Sequence, residues 1–388
     1  MKIGIAAPIE TSSLSEYLSE NVEKLPKGLG GTYVVQLIKG LLHGNYRVSV
    51  YSLDSDVISP IILRGNSLTI YYGIFRRKHR MRDFMKIERD AICNFIKMDN
   101  PTIVHAHWTY EFALGALASK KPTLITVRDW APAISYIIPD AYRLGRLLMS
   151  FTTLIKGTHF TANSPYIQRL IKKYFRKDVP VIPNSLSDEL FYKDGRKLKV
   201  NRPIIVSINN GFGKLKNVKA LIKAYRLVRK DIPNSRLVLI GIGFEKNGEV
   251  EEWAKRNYLS GGIDFLGWIP HKKVLEILES SDLLIHPSLE ESFGMTLLEA
   301  MAKKTPVIGG KNSGAVPWML NYGKAGVLTD VRSPKFIANE AIKLLTNKIF
   351  WDEYSLAGYN YAWENFRTSK NVEKTIREYK KVLYDIKL

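Results

Sequence analysis

Short apolar segments alternate with amphipathic ones through the first half of the chain. Runs with the helical period, such as Thr32–His43 and Phe84–Met98, lie between some of the apolar segments. This order predicts a doubly wound α/β domain, in which ligands bind outside the carboxyl ends of the strands. The apolar segments have the Ile, Val, Leu and Tyr content of buried strands and lie at Lys2–Ala7, Arg47–Leu53, Leu68–Ile74, Thr102–Ala106, Thr123–Val127, Phe160–Asn163 and Pro180–Pro183.

The same alternation begins again after residue 200. A charged segment, Tyr192–Arg202, separates the two series and is predicted to be a linker, and a helical region, Pro334–Leu388, ends the chain. The pattern therefore predicts two α/β domains. Strands of the second are predicted at Pro203–Ile208, Arg236–Ile242, Ile263–Leu266, Leu283–His286, Pro306–Ile308 and Gly326–Leu328.

Composition indicates a globular protein of a reducing compartment. The 388 residues are 45% hydrophobic and 24% charged, and the single cysteine, Cys93, excludes an internal disulfide framework. Pro8 and Glu10 interrupt the first apolar run, so it is predicted to be a strand rather than a signal peptide. No apolar run approaches the roughly 20 residues needed to span a bilayer. We therefore expect a cytoplasmic protein, or one that attaches to the inner face of the cell membrane from its surface.

The formal net charge of +21 indicates anionic partners. Polyanions, anionic lipid headgroups and phosphorylated acceptors are the candidates. No helix-turn-helix, zinc-finger or aromatic RNA-binding motif is present in the sequence, which argues against nucleic acid. Two stretches concentrate the charge, Arg64–Arg89 and Tyr166–Lys177. The second has the pattern of a basic amphipathic helix, which rests on an anionic membrane or packs its apolar side on the sheet as an ordinary surface helix.

The segment Ile285–Ala302 has the most specific pattern in the chain. An apolar strand ends in His-Pro-Ser, two glutamates and a Ser-Phe-Gly follow, and a helix-period run begins at Met295. The first amides of a helix have no intrahelical acceptor and carry partial positive charge, so this terminus suits a phosphate. Gly294 allows close approach to the backbone. Glu291 and Glu299 are therefore expected on either side of a phosphorylated ligand.

The sequence SLEESFGMTLLEAMAKKTPVIG, which begins in this segment and continues to Gly309, resembles the donor-site signature of retaining glycosyltransferase family 4. The resemblance implies the α/β GT-B fold, with two Rossmann-like doubly wound domains facing across a cleft. It implies that residues 1–190 bind the acceptor and are completed by the C-terminal helix at about 368–388. Residues 200–367 are then the domain that binds the nucleotide-sugar donor.

The resemblance also implies roles for residues of the second domain. Glu291 contacts hydroxyls of the transferred sugar, and Glu299 accepts hydrogen bonds from the ribose. Lys216 neutralises the donor diphosphate, and Lys214 stands in for an arginine that relatives have nearby. The remaining donor contacts are expected through the backbone, at the nucleobase for Ile269 and at the diphosphate and sugar for Gly294, Met295 and Thr296.

The resemblance also implies roles for residues of the first domain. Gly31 ends a loop, Leu25–Gly31, that approaches the donor phosphate and the acceptor. His107 follows the strand Thr102–Ala106 and contacts the transferred sugar or the acceptor, whereas His105 is expected to be structural. Arg128 and Asp129 stand where many relatives have His-Asp. Two roles are expected for Arg128: it binds an acidic or phosphorylated acceptor, or it pairs with Asp129.

The function expected from the resemblance is retaining transfer of a sugar from a nucleotide-sugar donor to a glycan or lipid-linked acceptor, in polysaccharide or glycolipid biosynthesis. No cofactor is expected, and no metal, because the sequence has no Asp-x-Asp pair to hold one. Two alternatives stay open at this point. One is a sugar-nucleotide epimerase or glycan phosphorylase of the same fold, and the other is a basic module that binds membranes or nucleic acid.

Overall fold

The computed structural model describes residues 1–20, 25–192, 198–199 and 201–385, which form two compact units. Unit 1 combines Met1–Ser185 with Thr368–Leu388, and unit 2 is Leu186–Arg367. The predicted linker Tyr192–Arg202 lies partly outside the described residues.

Unit 1 is a parallel sheet with helices on its faces. Its strands are β1 (Lys2–Ala6), β2 (Arg47–Asp54), β3 (Ile61–Arg64), β4 (Leu68–Ile74), β5 (Ile103–His107), β6 (Thr123–Val127) and β7 (His159–Ala162). Its helices include α1 (Thr32–His43), α2 (Lys86–Asp99), α3 (Glu111–Ala118), α4 (Ala131–Ile137), α5 (Ala141–Lys156) and α6 (Pro165–Phe175). The strand order is β3-β4-β2-β1-β5-β6-β7, and β3 is the strand of this sheet that runs antiparallel to its neighbour.

The central strands of unit 1 explain why the hydrophobic pattern identified them. Every residue of β5 and β6 is buried, as expected when helices cover both faces of a parallel sheet. Helix α1 begins and ends where its periodicity predicts and turns Val34, Ile38 and Leu41 into the core. Strand β5 ends at His107, and Arg128 directly follows the adjacent strand β6, so the two residues are neighbours.

For unit 1, one strand prediction is wrong and one strand was missed. Pro180–Pro183 forms only a bridge between Ala162 and Val181, because its two prolines have no N–H to donate to a ladder. The edge strand β3 was not predicted, and it pairs antiparallel with β4 from Ile61 to Arg64. It is four residues long, with one residue buried, so it has too little alternation to stand out.

Unit 2 repeats the architecture. Its strands are β8 (Ile204–Ile208), β9 (Arg236–Ile240), β10 (Ile263–Gly267), β11 (Leu283–His286), β12 (Val307–Gly310) and β13 (Val327–Thr329). Its helices include α7 (Val218–Asp231), α8 (Glu249–Arg256), α9 (His271–Ser280), α10 (Met295–Ala302), α11 (Val316–Met319), α12 (Pro334–Thr346) and α13 (Lys348–Asn365). The strands are parallel in the order β10-β9-β8-β11-β12-β13, so the loops that follow β8 and β11 are neighbours.

The last helix, α14 (Thr368–Asp385), packs on unit 1. Its residues Tyr379 and Val382 are buried in the same core cluster as α1 and β1. A Cβ added at Gly40 of α1 would lie 2.5 Å from Val372 of α14, so glycine allows the two helices to approach closely. Unit 1 is therefore built from both ends of the chain.

Residues of the two basic stretches make contacts within unit 1. Helix α6 buries Ile167 and Ile171 completely in the core, as the ordinary-surface-helix alternative requires. In the other stretch, Arg76 forms ion pairs with Asp83 at 2.8 Å and Glu88 at 2.6 Å. The apolar side of α6 is therefore turned inward, and Arg76 has a structural role.

Candidate active site

In unit 2, a lysine and a glutamate from two neighbouring loops meet. The loop after β8 ends at Asn217, whose side-chain amide donates to the carbonyl oxygens of Pro287 and Val331 at 3.2 and 2.7 Å. Asn217 occupies the position before α7, but its side chain makes these bonds instead of capping the helix. This attachment fixes Lys216, and its Nζ atom lies 2.7 Å from Oε1 of Glu291.

Two side chains, those of Lys216 and His286, contact the carboxylate of Glu291. His286, at the end of β11, lies with its Nε2 atom 3.2 Å from Oε1 of Glu291 and with its Nδ1 atom 3.3 Å from the hydroxyl of Thr296. Because a carboxylate only accepts, Nε2 carries the proton of its hydrogen bond to Glu291. Burial acts to raise the pKa of Glu291, but Lys216 and His286 outweigh it and hold that pKa well below its ordinary value. The carboxylate is therefore ionised at neutral pH.

Glycine keeps the Glu291 loop in place. The amide of Ala315 donates to the carbonyl oxygen of Glu291 at 2.8 Å. A Cβ added at Gly314 would lie 2.2 Å from that oxygen, and Gly314 has a φ of +60°. Any other residue at this position would push the two loops apart, so Gly314 supports the orientation of Glu291.

Helix α10 begins beside this carboxylate. Gly294, with a φ of +95°, precedes the helix, and its carbonyl oxygen accepts from Leu297 at 3.1 Å. Met295 and Thr296 are partly exposed, and their amides precede the first intrahelical bond. The start of the helix is fixed by packing, because Phe293 is 2% exposed. Its ring lies in edge-to-face contact with Trp318 and Phe366, at centroid distances of 6.0 and 5.7 Å.

Glu299 lies on α10, C-terminal to the Glu291 loop, and is 5% exposed. Its Oε1 atom is 2.8 Å from Nε2 of His271, the first residue of α9. Ile269 is partly buried against the core just before α9, and Lys214 is exposed on the loop after β8. The roles implied for Glu299, Ile269 and Lys214 stay predictions.

In unit 1, a histidine and an arginine follow β5 and β6. His107 is fully buried, and its Nδ1 atom accepts from Nε of Arg128 at 3.0 Å and from Nη2 of Arg128 at 2.7 Å. Nδ1 is therefore the unprotonated nitrogen, and the proton of the neutral ring lies on Nε2. Nε2 is buried with no hydrogen-bond partner among the described residues. A ligand that supplies an acceptor would satisfy it.

The same contacts keep His107 neutral. Burial, with the neighbouring His105 and Arg128, lowers the pKa of His107 well below its ordinary value. Burial also lowers the pKa of Arg128 to about 10, so the guanidinium stays charged at neutral pH. His105 is enclosed between the hydroxyls of Tyr379 at 2.8 Å and Thr126 at 2.6 Å, which is a structural environment.

The alternative that Arg128 pairs with Asp129 is wrong. Arg128 is 9% exposed and donates to His107 and to the side-chain oxygen of Asn184. Asp129 instead accepts from the hydroxyl of Tyr110 at 2.9 Å. Burial raises the pKa of Asp129, although the nearby Arg146 opposes the increase. Binding of an acceptor by Arg128 and Asp129 stays a prediction.

Gly31 immediately precedes α1 with a φ of +100°. A Cβ at this position would lie 2.3 Å from the carbonyl oxygen of Pro8, so the loop requires glycine to pass the end of β1. Beyond it, the ring of Tyr33 lies 5.6 Å from that of Trp108 and 4.2 Å from the guanidinium carbon of Arg128. Trp108 has a φ of +64°, a strained conformation for a residue with a side chain.

Several residues of these sites were not identified from the sequence. His286 and His271 each bond to a predicted glutamate, and Asn184 and Tyr33 contact Arg128. Of these four residues, only His286 could have been identified from the sequence, because it ends a strand immediately before the glutamate loop. The others are brought together by contacts between segments far apart in the sequence.

Within the described residues, no three His, Cys, Asp or Glu side chains are grouped so as to hold a metal ion. None of the helices there is both long and apolar enough to cross a bilayer.

Comparisons with known proteins cover both units. Residues 188–361 match the family model described as glycosyl transferases group 1, and residues 30–190 match that described as glycosyltransferase family 4. An uncharacterised glycosyltransferase of Methanocaldococcus jannaschii is 30% identical over an alignment 389 residues long, and the match covers 91% of this chain and 94% of that protein. The N-acetyl-alpha-D-glucosaminyl L-malate synthase of Bacillus anthracis is 26% identical over an alignment 309 residues long, and the match covers 74% of this chain and 76% of the synthase.

Solved structures share the fold. The sucrose-phosphate synthase from Thermosynechococcus elongatus superposes with a TM-score of 0.80 at 17% sequence identity. The match covers 99% of this chain and 100% of that protein.

Proposed function

The chain belongs to the group 1 glycosyltransferases, which transfer a sugar from a nucleotide-sugar donor, and from that premise we propose a retaining, metal-independent reaction at the residues described above. The α/β fold of the GT-B type expected from the sequence is confirmed. In this proposal unit 2 binds the donor and unit 1 binds the acceptor, a glycan or a lipid-linked sugar.

The ion pair between Lys216 and Glu291 at the start of α10 carries the proposal. Transfer breaks a sugar–phosphate bond, so positive charge grows on the sugar ring while negative charge grows on the leaving diphosphate. Glu291 is an ionised carboxylate at 17% side-chain exposure, suited to accept from sugar hydroxyls. Lys216 and the amides of Met295 and Thr296 are donors of the kind that stabilise a leaving phosphate by preorganised electrostatics.

In this mechanism Lys216 keeps its contact with Glu291 and gains the diphosphate as a second partner. Without donor its ammonium lies on Glu291, and in the donor complex it shares that contact with the diphosphate. His286 remains on the carboxylate, so Glu291 keeps one hydrogen-bond donor throughout. Because Glu291 is held by these donors, positioning of sugar hydroxyls fits it better than nucleophilic attack. Retention then follows from attack by the acceptor on the face that the phosphate leaves, with the phosphate oxygen taking the acceptor proton.

Glu299 anchors the nucleotide in the proposal. Its carboxylate is buried, and His271 holds one oxygen, which leaves the other available to accept from ribose hydroxyls. Ile269 precedes His271, so the backbone that meets the nucleobase and the side chain that orients Glu299 belong to one short segment. Lys214, exposed on its loop, adds charge near the diphosphate without a fixed geometry.

His107 acts as a neutral hydrogen-bond donor in the proposal. Its Nε2–H has no partner among the described residues of unit 1, and a hydroxyl oxygen of the transferred sugar or of the acceptor supplies the acceptor it lacks. Because the pKa of His107 lies well below neutrality, the ring serves for positioning and not as a general acid. Arg128 acts through His107, and its contact with an acceptor, together with that of Asp129, stays a prediction.

Donor turnover tests the proposal. The protein is incubated with a panel of nucleotide sugars, and release of the nucleoside diphosphate is followed with and without EDTA. We expect slow release by transfer to water with one nucleotide sugar, faster release with an alcohol acceptor, and no effect of EDTA. Faster turnover with inorganic phosphate than with alcohols would instead indicate a phosphorylase, and loss of turnover with EDTA would refute metal independence.

The cellular setting is part of the proposal. A cytoplasmic enzyme that builds polysaccharide or glycolipid on a lipid-linked acceptor works at the inner surface of the membrane, and a net charge of +21 favours attraction to anionic headgroups. Peripheral association is therefore expected, and sedimentation of the protein with anionic vesicles at low salt tests it.

A further inference from the structure

Helix α5 exposes an apolar stripe to solvent. Leu144, Leu148, Phe151 and Ile155 are 56%, 48%, 38% and 71% exposed. Steps of four, three and four residues place them on one face of the helix. Large apolar side chains scattered singly need no explanation, but a row of four along one helix forms a continuous surface that marks an interaction site.

The opposite face of α5 packs into unit 1 and includes small and polar residues. The side that packs into unit 1 includes Gly145, Ser150 and Thr153. Ser150 accepts from the hydroxyl of Thr109 at 2.8 Å, and the hydroxyl of Thr153 donates to the carbonyl oxygen of Thr109 at 2.9 Å. These bonds fix the rotation of the helix. The core side of α5 therefore combines these small residues with the buried Met149 and Leu154, whereas the four residues of the stripe remain exposed.

Positive charge adjoins the stripe. The ring of Phe151 lies 5.6 Å from that of Phe175, at the end of α6, which places that end of α6 beside the stripe. Lys173 and Arg176 are exposed at the same end, and Lys156 is exposed next to Ile155. An apolar helix face flanked by lysine and arginine is the pattern of a helix that lies in the interface of an anionic bilayer.

We propose that the face formed by Leu144, Leu148, Phe151 and Ile155 enters the surface of a bilayer that contains anionic lipids, while the adjoining basic residues contact the headgroups. This deepens the peripheral association proposed above by naming its surface, which includes the basic end of the stretch Tyr166–Lys177 and does not include Arg64–Arg89. A second copy of the chain fits this face less well. A twofold contact through it would bring Lys156, Lys173 and Arg176 of one copy close to the same basic surface of the other.

Vesicle binding with matched serine variants tests the proposal. Leu148→Ser/Ile155→Ser removes two exposed side chains seven residues apart on α5. Ile349→Ser/Leu356→Ser removes two, 70% and 56% exposed, with the same spacing on α13 of unit 2. With phosphatidylcholine–phosphatidylglycerol vesicles at low salt, we expect the α5 variant to bind about tenfold or more weakly than wild type. The α13 variant should bind like wild type. Equal loss in both variants, or loss in neither, would overturn the proposal.

Insertion is tested directly by a fluorescent label on the stripe. Cys93 is the only cysteine and is 6% exposed, so bimane attached to a Phe151→Cys variant reports on this face alone. We expect a blue shift on anionic vesicles and quenching by lipids that carry a nitroxide near the headgroup. No quenching, while the protein sediments with vesicles, would show that another surface docks and would refute the assignment.

Two further measurements distinguish membrane docking from self-association and from failure of the proposed function. If sedimentation velocity without lipid shows a dimer that Leu148→Ser/Ile155→Ser dissociates, the stripe is a contact between copies and the proposal is wrong. Hydrolysis of a nucleotide sugar in solution should be the same for wild type and this variant. Absence of hydrolysis in both proteins would refute the proposed function, whereas the vesicle result would stand by itself.

Discussion

Replacing Arg128 is expected to change the proton position on His107. Arg128 donates twice to Nδ1 of His107, from Nε at 3.0 Å and from Nη2 at 2.7 Å, and both residues are buried. A hydrogen bond from a charged donor stabilises by about 1.5–3 kcal/mol. Since 1.4 kcal/mol corresponds to about tenfold in an equilibrium, this contact favours the Nε2–H tautomer by roughly ten- to one-hundred-fold. The Nδ1–H tautomer would also place its proton against the guanidinium.

In Arg128→Leu the preference is lost, and both tautomers of His107 are expected at similar populations. The side-chain amide of Arg128→Gln still donates to Nδ1, so this variant should keep part of the preference. Turnover should fall about tenfold in Arg128→Leu and less in Arg128→Gln, because one positioning hydrogen bond from Nε2 is weakened. Affinity for nucleoside diphosphate should not change, since the nucleotide contacts proposed here lie in unit 2.

The assay is a long-range proton–nitrogen correlation spectrum of protein labelled with ¹⁵N-histidine, which distinguishes protonated from unprotonated ring nitrogens. Arg47→Leu, at the exposed start of β2, is the control for loss of a positive charge. Melting curves show whether Arg128→Leu is folded, since an unsatisfied His107 Nδ1 and Asn184 cost about 1–3 kcal/mol each. A wild-type spectrum with the proton on Nδ1 would refute the reasoning, as would full turnover in Arg128→Leu.

Three other outcomes follow from the two sites. Glu299→Gln should weaken nucleoside diphosphate binding by about 1.5–3 kcal/mol in calorimetry, whereas Glu291→Gln should preserve affinity and lower turnover, and the opposite pattern would exchange their roles. Lys216→Ala should lower turnover more than Lys216→Arg, and equal rates in both variants and wild type would show that its charge is not used. His105 and His107 have pKa values below 6.5 when folded, so the unfolded chain binds more protons below that pH. Stability to urea should therefore fall from pH 7 to pH 5, and a flat profile would contradict both shifts.

The fold was largely predictable because parallel strands buried on both faces are almost continuously apolar. Leu283–His286 and Thr123–Val127 agree with the structure at both ends. The errors arise where this signal fails. Pro180–Pro183 is apolar but has no amides to pair at its prolines, and Ile61–Arg64 is a short edge strand with half of its residues partly exposed.

The site was predictable as separate residues but not as an arrangement. The motif predicted Glu291, but its bond to Lys216 joins residues 75 apart in the sequence. Arg128 was predicted to face a ligand or Asp129, yet its bonds go to His107 and Asn184. Local sequence does not determine which of several neighbours a long buried side chain reaches, because that depends on which strands the sheet makes adjacent.

Helix α5 shows what hydrophobic periodicity alone does not determine. Periodicity identifies an apolar face on a helix but does not tell whether that face meets the core or the solvent. On α6 the apolar residues Ile167 and Ile171 are buried, whereas on α5 Leu148 and Ile155 are exposed and small polar residues are buried. The sequence therefore offered α6 as one candidate for the membrane surface, and the structure places the exposed apolar face on α5.

The most direct test of the central claim is the anomeric configuration of the released sugar. A nucleotide sugar with an α-linked donor is incubated with the enzyme in buffered D₂O without acceptor, and proton NMR spectra are recorded before mutarotation is complete. Cleavage at the Glu291–Lys216 site with retention predicts that the α-anomer appears first and that Lys216→Ala releases it more slowly. First appearance of the β-anomer would contradict the account, because attack would then come from the face opposite the leaving diphosphate.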